Sequence, residues 1–180
     1  GGFARRGGGK CGNGVRRKCG TDLSRTLRVL YVSSEVVPFS KTGGLADVAG
    51  ALPAALAEHG CEVRVLSPFY GRLSNGDFRT APVSTPPITI AIGERAHSFA
   101  VKKLVNDDWP VRHYFAEHAG YYGRPDLYTD PGTKADYPDN DERFVFLSRG
   151  LLEWVRRDSW RPEIIHVNDW QTALVAAYLK

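Results

Sequence analysis

"LRVLYVSSEVVPFSKTGGLADVAGALPAALAEHGCEVRVLS", residues Leu27–Ser67, decides the fold. Its first eight residues, Leu27 to Ser34, form a short apolar run rich in Val, Leu and Tyr, which predicts a buried strand. After the turn around Lys41–Gly44, residues Leu45, Val48, Ala49, Leu52, Ala55 and Leu56 recur at helical spacing. That pattern runs to a stop at His59–Gly60. Pro53 lies inside it and is expected to kink the helix or limit its first part. Glu62 to Ser67 then reads as a second strand, stopped by Pro68. A β-α-β unit of this length implies parallel strands joined by a crossover.

Outward from this unit the pattern changes. Pro82, Pro86 and Pro87 precede "ITIAIG", and two further strand-like runs follow at hairpin distances. Ile88 to Gly93, Ser98 to Val105 and Val111 to Ala116 are therefore predicted as a small meander-like β insertion. A loop rich in Gly, Pro, Asp and Tyr comes next. Its tyrosines Tyr121, Tyr122, Tyr128 and Tyr137 read either as packing beneath the loop or as a sugar-stacking platform. A helix is expected over Asn140 to Arg157, a strand over Glu163 to Val167, and a last helix capped by Asn168–Asp169. The fold class is α/β: a Rossmann-like parallel sheet with a small β insertion, in one domain over 27–180. The chain ends inside its last helix, so a domain cut short at its C-terminus is expected.

Composition separates head from body. With 42% hydrophobic and 24% charged residues the chain is of globular type, and no apolar run approaches the roughly 20 residues of a membrane helix. The net charge of +4 is concentrated at one end: residues 1–28 hold eight Lys and Arg against Asp22 alone, which leaves the rest at −3. The Gly/Arg-rich head, residues 1–26, lacks the apolar surface to fold alone. It reads as a disordered leader, an artefact, or a nucleic-acid-binding arm, and the body offers no basic-aromatic surface to support the last. Three cysteines, Cys11, Cys19 and Cys61, complete neither a zinc site nor a disulfide framework, and point to a reducing compartment.

The turn at Lys41–Gly44 raises a chemical question, because a lysine and two adjacent glycines stand where a strand passes into a helix. The unpaired N–H groups and positive dipole end of that helix fall here, glycines admit close approach and positive φ, and Lys41 adds a charge. Together these describe an anion site suited to phosphate. The alternative is a tight connection with a solvated lysine. Neither the GxxxxGK[ST] nor the GxGxxG spacing is present. "HVNDW", His166–Trp170, occupies the same kind of strand end, so Lys41 and Asp169 can line one cleft at the carboxyl edge of the sheet. Helix capping by Asn168 and Asp169, and core packing by Trp170, is the competing explanation.

"VSSEVVPFSKTGGLADVAGALPAALAEHGCEVRVLSPFYG", with "YPDNDERFVFLSRGLLEW" and "WRPEIIHVNDWQTALVAAYL", resembles the N-terminal part of glycogen and starch synthases, glycosyltransferase family 5. The resemblance covers about Leu27 to Lys180 and is weakest in the β insertion. It implies the N-terminal half of a two-domain GT-B glycosyltransferase, with the active site between two Rossmann-like halves. It also implies a retaining transfer of glucose from ADP-glucose to the non-reducing end of an α-1,4-glucan, without a metal or cofactor, ADP-glucose being a co-substrate. On the matching positions, Lys41 contacts the donor's phosphates as electrophilic stabiliser, while Thr42, Gly43 and Gly44 lie near the diphosphate and the transferred glucose. Asp47 and Glu35 fall near the site, and Asp169, beside Asn168, lies against glucose and acceptor. The family's second half supplies the remaining basic residues, a carboxylate and the nucleotide pocket, so this chain alone is expected to be inactive. The resemblance further implies a cytoplasmic protein in a bacterium, or a plastid one in a plant or alga. The reading from another class is a non-catalytic glucan- or nucleotide-binding relative, or an inactive truncated product.

Overall fold

A computed structural model describes residues 25–71, 73, 78–83, 86–105 and 108–179. The head through residue 24, with Cys11 and Cys19, lies outside the described residues.

Strand β1 (Arg28–Val32) is the axis of a seven-stranded sheet. It pairs in parallel with β2 (Glu62–Pro68) on one side and with β7 (Ile164–Val167) on the other, and β2 pairs in parallel with β6 (Arg112–Glu117). The parallel core is thus β6-β2-β1-β7. Alternate residues of β1 divide between two cores. Leu30 and Val32 join Leu66, Ala116 and the buried face of α3 (Asn140–Arg157), while Val29 and Tyr31 join Val63, Val65, Phe115 and Ala49 of α1 (Gly44–Glu58). Helices therefore cover both faces, which is why β1, β2 and β6 read as nearly continuous apolar runs. Helix α4 (Trp170–Tyr178) packs beside α3, against β7.

The antiparallel part differs from the sequence expectation in one respect. Strand β4 (Ile88–Ile92) and the ten-residue β5 (Arg95–Leu104) form the expected hairpin, and a short β3 (Thr80–Pro82) pairs the far end of β5. Val111 to Ala116, expected within the insertion, instead forms β6 of the parallel core, and β5 joins it antiparallel. Hairpin spacing from β5 is satisfied either way. What places β6 is the continuous burial of His113, Tyr114, Phe115 and Ala116, which needs cover on both faces. Helix α1 continues through Pro53, whose side is buried.

The Tyr-rich loop opens with a single turn, α2 (Ala119–Tyr122), and is packed rather than open: Tyr121, Tyr122 and Tyr137 are buried. Three of its four tyrosines are therefore packing residues. Tyr128 reaches elsewhere.

Candidate active site

The carboxyl ends of β1 and β7 lie side by side, with Val32 paired to Val167, so the segments that follow them are neighbours. From β1 the chain turns through Ser33, Ser34 and Glu35, then folds back so that the N–H groups of Val36 and Ser40 bond the carbonyls of Ser40 and Val36. Buried Val36 and Phe39 anchor this loop into the α1-side core. It ends at Lys41–Gly43, directly before the first turn of α1.

Glu35 holds that ending in place. Glu35 is 3% exposed. Oε2 accepts the N–H of Thr42 at 2.5 Å and of Gly43 at 3.3 Å, while Oε1 accepts the Thr42 hydroxyl at 2.6 Å and the Tyr128 hydroxyl at 2.8 Å. Tyr128 also bonds Ser34 Oγ at 2.9 Å. Burial raises the Tyr128 pKa far above the ordinary range, so it is a neutral donor. Glu35 is therefore the internal anion of this turn, and its lone pairs are spent on the protein. It shapes the loop; it does not present a free carboxylate to a ligand.

What remains for a ligand lies one step further on. Gly43, the helix N-cap, is extended (φ −150°, ψ −164°) and gives no side-chain cap to the first turn of α1. The expected positive φ is thus not used at this turn. Nor does the protein crowd these glycines: a methyl on Gly43 or Gly44 would meet nothing within 4 Å. Neither backbone conformation nor internal packing calls for glycine at either position. Beside this open face the Lys41 ammonium bonds Asp47 Oδ1 at 2.6 Å, with both side chains about half exposed.

The β7 side is held as firmly. Asn168 accepts from the Tyr31 hydroxyl at 2.9 Å, donates its amide to Val32 O at 2.8 Å, and bonds Thr172 Oγ1 through its own N–H at 2.7 Å. Its side chain ties β7 to β1 and is not free for a ligand. Asp169 caps α4 by accepting the Trp170 N–H at 2.7 Å, yet its side is open to solvent. Capping and exposure coexist here. Trp170, one explanation for which was core packing, is 54% exposed and touches Phe144 only edge-on.

Asp169 also has φ 62° and ψ 179°, a region that essentially belongs to glycine. A strained non-glycine residue at an exposed cleft position costs about 1–3 kcal/mol and marks a side chain kept for another purpose. Asp169→Gly is expected to stabilise the chain by about 1–2 kcal/mol, because relief of strain outweighs the few tenths lost when glycine replaces a capping Asp. Urea denaturation of the two proteins checks this, and a destabilised variant would show that the carboxylate, not the backbone, governs the position.

The structure thus brings Glu35, Lys41, Thr42, Gly43, Gly44 and Asp47 together at one strand end, with Asn168 and Asp169 at the adjoining one. Tyr128, named from the sequence only as one of four loop tyrosines for packing or sugar stacking, joins this group through Glu35. Its bond to Glu35 spans 93 residues and leaves no local signal. A cavity of about 920 Å³ lies away from these residues, lined by Trp109, Arg112 and Cys61 near the start of β2 and β6. Among the described residues no cluster of three or more metal-ligating side chains occurs.

Comparisons with known proteins bear on the family. The family model described as the starch synthase catalytic domain matches residues 28–180. A glycogen synthase of Geotalea daltonii is 39% identical over 155 residues, covering 86% of this chain and 31% of that protein. A glycogen synthase of Anaeromyxobacter dehalogenans is 45% identical over 151 residues, covering 82% of this chain and 29% of that protein. In structure, the chain resembles the catalytic domain of starch synthase IV from Arabidopsis thaliana bound to ADP and acarbose. The TM-score is 0.70 at 26% identity, covering 84% of this chain and 30% of that one. The chain spans about three-tenths of the length of the relatives it matches.

Proposed function

This chain belongs to the starch synthase catalytic-domain family, and we propose that it supplies the acceptor-side half of a retaining glucosyltransferase. In this reading the parent protein moves glucose from ADP-glucose to the non-reducing end of an α-1,4-glucan. The observation that carries the reading is the open glycine pair at Gly43–Gly44 beside Lys41, at the N-terminal end of α1, where the N-cap has no side-chain hydrogen bond and an added methyl would meet nothing within 4 Å.

The chemistry follows from where charge develops. As the bond from the anomeric carbon to the diphosphate breaks, negative charge grows on the leaving oxygen. A fixed ammonium and helix-end N–H groups stabilise that charge without moving a proton. Lys41 is thus an electrophilic stabiliser, and Gly43 and Gly44 let the diphosphate reach the backbone. Asp47 orients Lys41 through their ion pair. Asp169, held exposed across the strand boundary, faces the sugar and offsets the positive charge of an oxocarbenium-like transition state. Thr42, Glu35, Tyr128 and Asn168 are positioning residues whose bonds are internal. The donor is ADP-glucose by family, and the Arabidopsis structure, whose description includes ADP, supports it. The bacterial relatives favour a cytoplasmic site.

The test is transfer of labelled glucose from ADP-glucose to glycogen by the full-length protein that carries this chain, with the 180-residue chain alone as comparison. Expected is transfer by the first and none above background by the second. Glucan binding without transfer by the full-length protein would overturn the catalytic reading.

A further inference from the structure

Away from the proposed chemistry, one cluster of titratable groups joins β5, α2 and α3. His118, the N-cap of α2, accepts the Tyr121 N–H on Nδ1 at 3.1 Å. Its Nε2 lies 3.3 Å from His97 Nδ1. His97 Nε2 lies 3.2 Å from the Tyr121 hydroxyl oxygen and 3.6 Å from Glu142 Oε1. The Tyr121 hydroxyl donates to Glu142 Oε1, and Arg95 holds Glu142 Oε2 at 2.5 Å.

One backbone group fixes every proton in this chain of bonds. An amide N–H only donates, so His118 Nδ1 is bare and the neutral ring carries its proton on Nε2. That proton points at His97 Nδ1, which must then accept. The His97 proton is therefore on Nε2, facing the Tyr121 oxygen, whose own proton goes to Glu142. Neutral, the relay is fully satisfied. An added proton has no place in it: on His118 Nδ1 it opposes the Tyr121 N–H, and on His97 Nδ1 it opposes His118 Nε2–H. A metal ion between the imidazoles meets the same obstacle, since coordination through His118 Nε2 moves the proton to Nδ1.

We propose that the His97–His118 pair is an acid-release latch. Uptake of a proton breaks the imidazole's bond to the Tyr121 N–H, leaving the His118 carbonyl at 3.1 Å as the acceptor of that amide, and so loosens the cap on α2. The effect on the cap needs only the bonds above.

The surroundings set the direction. Burial, and then the neighbouring His97, hold the His118 pKa below its ordinary value, with Glu142 opposing. Charged groups facing the pair are Arg95 from β5 and Glu142 from α3. The Lys102–Glu117 pair (2.6 Å) stands beside His118 at the end of β6, and Asp139 lies before α3. Tyr121 is the titratable group of α2. Phe146 packs edge-on against both imidazoles without charge, and from β4 the cross-strand neighbour of His97 is Ile90. A folded-state pKa depressed in this way means that the latch's contribution is complete above the ordinary histidine value, about 6.5, and is lost as pH falls through the lower folded value.

The experiment is NMR on this chain from pH 8 to 5, following both imidazoles and the exchange protection of the Tyr121 amide. The expected result is titration of the His118 ring below the ordinary histidine value. With the same midpoint, Tyr121 protection falls by roughly two- to tenfold, since its half-buried bond to the imidazole is lost while the His118 carbonyl remains as acceptor. His113, which burial pushes down to about 4, packs against Phe39 and Trp109 on the other core and titrates below this window. In His118→Asn the side-chain oxygen still accepts the Tyr121 N–H but takes no proton, so protection should persist through the acid range. Protection in the native chain that ignores the imidazole titration overturns the latch, as does the same acid loss in the Asn variant. The first of these arms stands even if the variant does not fold.

Discussion

Lys41→Ala is expected to lower kcat/KM for glucose transfer by the full-length protein on the order of 10²- to 10³-fold while leaving the fold unchanged. The two halves of that expectation have separate causes. Among the described residues the ammonium pairs with Asp47 alone, and both side chains are about half exposed. Such surface pairs contribute about 0–1 kcal/mol, so thermal stability should scarcely move. The rate, by contrast, depends under the proposed function on charge that appears only as the diphosphate leaves. Removing one preorganised charge-stabilising group typically costs on the order of 10² to 10³ in rate. Arginine should restore part of the loss, since it keeps the charge but spreads it over a wider fork. Steady-state kinetics beside a melting curve separates the two effects. Unchanged turnover in a folded Lys41→Ala protein would remove Lys41 from the phosphate site.

Gly150→Ala should be the most damaging single methyl addition in the domain. Gly150 lies on the buried face of α3 against Phe99, and an alanine Cβ would stand 2.0 Å from Phe99 Cδ2 and 2.3 Å from Cε2. Phe99 is fully buried, with Phe146 at 5.3 Å and the paired Ile88 of β4 beside it, so the ring has no free space to turn into. Helix propensity pulls the other way, favouring alanine by roughly 1 kcal/mol. Overpacking of a full core costs about 1–3 kcal/mol, occasionally more, and here the overlap is with the flat body of a ring, so packing wins. A net loss of about 2 kcal/mol should lower Tm by about 4–8 °C for a domain of this size. A raised Tm would mean that α3 slides outward at little cost.

The two kinds of legibility in this chain have different physical origins. The β1–α1–β2 unit was readable because its signals are local: apolar runs, helical spacing and a Gly stop within some 40 residues. The strand β6 was not placed, although its burial is plain in "HYFA", because a short apolar run looks the same in a hairpin and in a covered parallel sheet. Lys41 and Glu35 were visible as positions. That Glu35 serves the loop rather than a ligand, and that Asn168 is consumed by Tyr31 and Val32, depends on bonds across up to 137 residues. Such satisfaction of polar groups exists only once the fold has formed. The left-handed backbone of Asp169 is likewise silent in the sequence, where Asn-Asp before a helix reads as ordinary capping.

The buried Glu35 carboxylate has a consequence for the timing of order at the site. A glycine-containing turn left free would have to be immobilised when a nucleotide sugar arrives, and fixing each backbone residue costs about 1–2 kcal/mol in conformational entropy. With an internal anion already gripping Thr42 and Gly43, that entropy is lost during folding, before any ligand is present. Under the proposed function, a donor would then meet a surface whose shape is settled, and more of its contact energy would remain available to the transition state.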